Sequence, residues 1–286
     1  MESKRIAVLM TCHNRQEKTL ASLKALCKQV LAPQVLVQIY LVDDGSTDNT
    51  AEAVRTNYPE VYVLRGDGSL FWNGGMRLAF SASLKVGYEY YLWLNDDTLL
   101  EPDALSNLLD THSYVVAQGS LNSIVVGSTR DQLTRELTYG GVQSGWHPLK
   151  FKLVEPGDKP RMSKTMHGNC VLIPHVVVER VGNLDEAFTH NAGDLDYGLR
   201  ARKLGCSVWV APGYVGICST NPLNGTWKDK HLPLHERLKK VVQPKALPPQ
   251  ERKIFAKRHA GSFWYVYWAF PYVRVLTSSL FPFLES

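Results

Sequence analysis

In the N-terminal third of the chain, short apolar runs that stop abruptly at polar clusters alternate with stretches of helical spacing. Ile6–Met10 is a compact apolar run that gives way to the polar turn Thr11–Arg15. Between Lys18 and Leu31, the residues Leu20, Leu23, Leu26, Cys27 and Val30 recur at the spacing of one helix face. A second apolar run, Val35–Val42, ends in Asp43-Asp44-Gly45-Ser46-Thr47-Asp48. A helix then starts around Thr50, and Val61–Leu64 reads as a third strand. A helix across Gly75–Val86 leads to a fourth strand, Tyr90–Leu94, which stops at Asn95-Asp96-Asp97. Strands alternating with helices predict a parallel sheet covered on both faces. Such sheets bind ligands outside the carboxyl ends of their strands, and all three polar clusters fall on that rim.

From about Ser113 to Arg180 the pattern changes to shorter strands with Gly-rich turns, Tyr139-Gly140-Gly141 among them. A helix over Gly193–Leu204 and a strand over Ser207–Ala211 close this stretch. Beyond Thr220 the chain is basic and Pro-rich, and it then turns aromatic from Phe263 to Phe270. With 286 residues and 44% hydrophobic content, the chain can build one large α/β domain and a smaller appendage.

Charge changes the picture only locally. Residues 228–258 carry ten Lys or Arg against three Asp or Glu, while the whole chain has 32 against 27. The near-balanced total does not suggest a nucleic-acid binder, and the whole positive balance sits in one segment. Five widely spaced cysteines without a C-x-x-C pair fit a reducing compartment rather than a disulfide framework or a zinc knuckle. The apolar run after Met1–Arg5 is too brief for a signal peptide, so a cytoplasmic location is expected.

Asn95-Asp96-Asp97 offers adjacent carboxylates at a strand end, as turn residues or as cation ligands. Mg²⁺ or Mn²⁺ is commonly held by one or two such carboxylates. Asp194 stands at the start of a predicted helix, where a carboxylate is favoured as an N-cap. Asp196 stands four residues before Arg200, the spacing of a helical ion pair.

Several ordered blocks together resemble glycosyltransferase family 2, from about Arg5 to Pro212. They are Ala7–Arg15, Val42–Asp48, Trp72–Arg77, Leu94–Thr98, Gly182–Phe188 and Gly193–Arg202. The resemblance, to rhamnosyltransferase-like bacterial members, implies a GT-A fold: a Rossmann-like α/β domain over 1–220 followed by a helical, aromatic extension over 221–286. Its nucleotide-binding half would be 1–112 and its acceptor half 113–220. The resemblance also implies an inverting, metal-dependent transferase working on bacterial surface polysaccharide. By that likeness Thr11 and Asp44 hold the nucleobase, Asp96 the ribose, and Asp97 the Mn²⁺ or Mg²⁺. A turn over Trp72, Asn73, Gly74 and Gly75 would let backbone approach the nucleotide, and Asp194 would be the base. Asp43 reads equally as a turn cap, and Arg77 equally as a phosphate partner or a solvated helix residue. His13 lies on the rim within reach of a donor phosphate. The donor would be a UDP or dTDP sugar, the acceptor a glycan or a lipid-linked sugar.

Two departures stand out. Gly193 occupies the place where the family often has Glu, and Gly213–Thr220 lacks the histidine that many members use as a metal ligand. His231 and His235 read as exposed residues of a basic helix. A nucleotidyltransferase and a non-catalytic nucleotide-sugar-binding protein are the competing readings, but Thr11–Arg15 lacks the glycine expected of a nucleotidyltransferase phosphate loop. A G-x-G-x-x-G motif and a P-loop are missing as well. Residues 263–283 hold nine of the chain's 29 aromatics, interrupted by Pro271 and Arg274, too broken for a spanning helix. They are expected at a bilayer interface, packed back on the domain, or in a homodimer contact.

Overall fold

The computed structural model describes residues 3–145 and 147–277. Its strands in chain order are β1 (Lys4–Cys12), β2 (Val35–Asp43), β3 (Tyr62–Arg65), β4 (Tyr90–Leu94), β5 (Leu99–Leu100), β6 (Ser123–Arg130) and β7 (Leu137–Tyr139). They continue with β8 (Gly141–Ser144), β9 (Phe151–Leu153), β10 (Arg161–Ser163), β11 (Thr165–Met166), β12 (Cys170–Pro174) and β13 (Ser207–Ile217). The helices are α1 (Gln16–Cys27), α2 (Thr50–Asn57), α3 (Phe71–Leu84), α4 (Ala104–Ala117) and α5 (His175–Val181). Further on come α6 (Gly193–Lys203), α7 (Leu234–Val241), α8 (Pro249–His259) and α9 (Trp264–Thr277).

β1 shows why the apolar runs are continuous rather than alternating. Ala7 and Leu9 point to one face with Met76, Phe80 and Trp93, while Ile6, Val8 and Met10 point to the other with Leu23, Leu26 and Leu108. Both faces are covered, so every position of the strand is apolar. Each such side chain, fully buried, contributes roughly 1.5–3 kcal/mol of transfer free energy. α3 and α6 cover the first face; α1 and α4 cover the second.

The main sheet runs in the order β10-β13-β6-β12-β4-β1-β2-β3. β1 is parallel to β2 and β4, and β2 to β3, as the alternation of elements predicts. β12 is antiparallel to both its neighbours, β4 and β6, and β13 is again parallel to β6. Because Cys170 opposes Leu94, the chain enters β12 at the same rim where it leaves β4. Residues just before β12 thus meet residues just after β4. A small sheet, β11-β8-β9, sits beyond.

Two helix boundaries differ from the sequence reading. α1 ends at Cys27 and leaves Val30 68% exposed, where one helix to Leu31 was expected. The side chain of Gln29 donates to the carbonyl of Glu101 and accepts from the amide of Leu105, which ties the chain to a different segment at this point. α3 begins at Phe71, so Trp72–Gly75 is its first turn rather than a free turn before it. The cause is Asp44, whose carboxylate accepts from the backbone amides of Gly68, Leu70 and Phe71 at 2.9, 3.3 and 2.9 Å. A side chain far back in sequence thus supplies the helix cap.

The C-terminal extension packs back through α8. Phe255 meets Phe188 with ring centroids 6.2 Å apart, and Glu251 accepts from both the amide and the hydroxyl of Thr189. The α9 side chains Trp268 and Tyr272 donate to the carbonyls of Pro249 and Leu247. Among the described residues no helix is long and apolar enough to cross a membrane. Phe281 and Phe283 of the aromatic run lie outside the described residues.

Candidate active site

The carboxylates after β4 are held together by a cation. Arg15, from the turn after β1, places Nη1 at 3.0 Å from Asp96 Oδ1 and 2.8 Å from Asp97 Oδ2. Asp96 is 5% exposed, and burial pushes its carboxyl up to about 6 even with Arg15 opposing the rise. Its Oδ2 is buried without a hydrogen-bond partner among the described residues. On the other side of Asp97, the thiol of Cys218 lies 3.6 Å from Oδ1. Burial and the Asp97 charge push that thiol up to about 12, so Cys218 faces the carboxylate as a neutral donor. This is the stretch in which no histidine occurs.

Asp194 reaches the same place from the far half of the chain. At the start of α6, its Oδ2 accepts from the amide of Gly168 at 2.9 Å and its Oδ1 from the amide of Leu195 at 2.7 Å. Gly168 precedes Asn169, whose carbonyl accepts from the Asn95 amide and whose Nδ2 points at Cys218 Sγ. Two residues before β12 therefore join the base candidate to the carboxylate pair. Trp72 closes the gap: its Nε1 donates to Asn95 Oδ1 at 2.7 Å. A Cβ on Gly168 would lie 2.4 Å from the Trp72 ring and 3.3 Å from Asp194 Cβ, so only glycine fits between them.

Other predicted residues serve the frame around this center. Thr11 is 9% exposed and packs against α3, where a Cβ on Gly75 would come within 2.1 Å of its Oγ1. Gly75 thus permits strand–helix contact. Gly74 lies against Leu70 in the first turn of α3. Asp44 is 3% exposed beneath the 68–71 loop, and Asp43 accepts from the Ser46 amide as a turn cap. Asn73 is fully buried and donates to the carbonyls of Asp185 and Phe188. Its Oδ1 lies 1.9 Å from where a Cβ on Gly193 would be, which accounts for glycine at that position. Arg77 pairs with Glu186 at 3.1 Å. His13 contacts the Asp44 carbonyl at 2.6 Å, and His231 and His235 are exposed.

Asp196, two residues after the base candidate, has a different role. It is fully buried, with Arg200 at 2.8 Å, His259 at 2.8 Å and Arg258 at 3.2 Å. These contacts hold its carboxyl below the ordinary range against the burial that would raise it. The expected Arg200 pair is present, and α8 adds two further partners.

Sequence reasoning assigned no role to Arg15, Gly168, Asn169, Cys218 or Tyr139. Burial, with smaller contributions from Cys218 and Asp97, pushes the Tyr139 hydroxyl up to about 12. Arg15 had one usable signal, a lone cation on the rim opposite an Asp pair. Backbone strain marks the same rim: Asn14, Phe71 and Ala192 have φ of 52°, 52° and 68°. Non-glycine residues take such angles where surrounding structure enforces them, often at functional sites.

Among the described residues no group of three or more His, Cys, Asp or Glu side chains is arranged to hold a metal ion alone. The family model of glycosyl transferase family 2 matches residues 7–180. An N-acetylglucosaminyl-diphospho-decaprenol L-rhamnosyltransferase of Mycobacterium tuberculosis is 26% identical over 229 residues, covering 72% of each chain. Two solved structures share the fold. One is a mannosyltransferase from Pyrobaculum calidifontis in complex with GDP-Man and Mn²⁺, with TM-score 0.59 and 15% identity. The other is S. aureus TarS, with TM-score 0.54 and 13% identity. The matches cover 90% and 88% of this chain but only 65% and 42% of those proteins.

Proposed function

The chain belongs to glycosyl transferase family 2 and is a glycosyltransferase, and from that premise we propose an inverting transfer from a nucleotide-diphosphate sugar at the Asp96–Asp97–Asp194 center. The observation that carries the reading is the Gly168–Asn169 segment, which donates to Asp194 and also meets Asn95, beside the Asp pair, and Cys218, which faces Asp97. Asp194 takes the proton of the acceptor hydroxyl. The hydroxyl oxygen then bonds to the anomeric carbon as that carbon's bond to the diphosphate oxygen breaks, and the nucleoside diphosphate leaves. A single displacement inverts the anomeric center.

Amides from Gly168 and Leu195 keep Asp194 oriented while leaving its oxygens lone pairs for the acceptor. The Asn95 contact fixes the Trp72 ring against Gly168, at the edge of the space between the carboxylates. Asp96 and Asp97 fit a divalent cation, because they already hold a guanidinium between them and Asp96 Oδ2 is buried without a partner. Asp97, supported by Asp96, would hold Mn²⁺ or Mg²⁺, with donor oxygens and water completing the shell. A bound ion there supplies positive charge for the departing diphosphate. With an ion on these carboxylates, Arg15 would be available to pair with a phosphate.

The donor in this reading is a UDP or dTDP hexose or deoxyhexose, and the acceptor is a glycan or a lipid-linked sugar of the bacterial envelope. The Mycobacterium tuberculosis relative, named for an acceptor on diphospho-decaprenol and for an L-rhamnosyl group, supports a polyprenyl-diphosphate-linked acceptor and a deoxyhexosyl donor. The site then works at the cytoplasmic side of a membrane, with the extension as a peripheral contact. Asp194→Asn tests the assignment. Transfer should fall roughly 10²–10⁴-fold while nucleotide affinity by calorimetry stays within about twofold, as for a lost general base. Full transfer by that variant removes Asp194 from the reaction.

A further inference from the structure

Several cations meet at the far end of α6 from Asp194. A cleft of about 320 Å³ opens there between the C-terminal ends of α6 and α8, lined by Lys164, Arg202, Lys203, Arg258 and His259. Asp196 and Asp185 account for Arg258, and Asp196 for His259. Lys203 donates to the Arg258 carbonyl and Lys164 to the Ser144 hydroxyl. Among the described residues neither Lys164, Arg202 nor Lys203 has an ion-pair partner. The negative end of the α6 dipole explains cations on its own last turn. It does not explain Lys164, which comes from the segment between β10 and β11. Burial and the nearby Arg202 charge lower the pKa of Lys164. Like charges are thus brought together without an anion.

The lip of this cleft leads into an apolar stripe. Gly261 lines the cleft, and two residues later Phe263 is 64% exposed. Phe263, Val266, Phe270 and Val273 follow one another at helical spacing, each about half exposed or more. α9 carries no acidic residue, and its opposite face, with Trp268, Tyr272 and Val275, is turned inward. A helix of 14 residues with aromatics outward and cations beside it matches a helix lying in a bilayer interface.

We propose that the cleft binds the phosphate of an anionic lipid headgroup, with the outward face of α9 lying in the interface beside it. The proposal extends the reading of a membrane-borne acceptor given above and rests on that reading for its biological sense. The charge of the cleft and the exposed stripe carry the contact itself.

Co-sedimentation of the full chain with phosphatidylglycerol–phosphatidylcholine vesicles, and with phosphatidylcholine alone, tests it. Wild type should bind the anionic vesicles and leave the neutral ones. Each Lys or Arg near an anionic surface contributes about fivefold in partition, so Lys164→Gln with Arg202→Gln should bind roughly 25-fold more weakly. Phe270→Ser should also weaken binding. Melting curves check the fold, and if the double variant unfolds, Arg202→Glu alone, at an exposed position, carries the test. Equal binding by wild type and the cleft variants overturns the headgroup site, as does equal binding to neutral vesicles. Dimers in solution with no vesicle binding also overturn it and make α9 a contact between copies. Donor hydrolysis is read separately. It should be unchanged in the cleft variants, and its absence from wild type would sink the catalytic reading without touching the vesicle result.

Discussion

Replacing Asp96 with Asn should make the protein more stable at neutral and alkaline pH. Burial pushes the Asp96 carboxyl up to about 6, against 3.8 for an unperturbed Asp. The folded state therefore holds a proton that the unfolded chain has already released, and stability falls as pH rises from 3.8 through about 6. At 1.36 kcal/mol per pH unit, the ionised carboxylate costs about 3 kcal/mol above that range. With Asp96 5% exposed, solvent screening relieves little of it. Asn has no such penalty, and Arg15 keeps its partner Asp97. Asp96→Asn should thus gain up to about 3 kcal/mol at pH 8, or roughly 6–10 °C in melting temperature for a chain of this size. The gain should vanish near pH 4. Thermal unfolding by circular dichroism across this range, without nucleotide or metal, measures it. The reasoning fails if the variant melts at or below wild type at pH 8, or if its advantage does not shrink with acidification. Nucleotide binding should weaken in the same variant, as expected where a site is built at the expense of stability.

Gly75→Ala would press a methyl group against the Thr11 hydroxyl, and unfolding in denaturant should show a loss of about 1–3 kcal/mol. Asp196→Ala strips a fully buried carboxylate from Arg200, Arg258 and His259, and should lose about 3–5 kcal/mol by the same measurement. That would separate it from Asp194→Asn, which gives up one of two backbone hydrogen bonds and should lose only about 1–2 kcal/mol.

The parallel half of the sheet was legible because both faces of β1, β2 and β4 are buried, so their residues read as apolar runs with polar ends. The Asp pair after β4 and Asp194 stood out for a related reason, as charges at the ends of regular elements. The start of α3 was not legible. Asn73-Gly74-Gly75 carries a turn signature, and what overrides it is Asp44, in contact only once the chain has folded. The same holds for Gly168 and Asn169, whose importance comes from the antiparallel entry into β12. α8 was not legible either: its Arg258 and His259 stand at the end of a basic segment that offers no nearby partner for them. Their partners Asp185 and Asp196 lie more than sixty residues away in sequence.

The reversed direction of β12 also limits how relatives of this enzyme can diverge. β4 pairs with β1 on one side and β12 on the other, so the strand bearing the Asp96–Asp97 pair is shared between the two halves of the chain. No cut made before Cys170 yields an N-terminal piece in which β4 keeps both of its neighbours. Recombination between family members near the midpoint would have to match hydrogen-bond registers across β4, β12 and β6 simultaneously. The small β11-β8-β9 sheet and the loops beside it lie outside that pairing, and can drift in length and side chain while the shared sheet stays fixed.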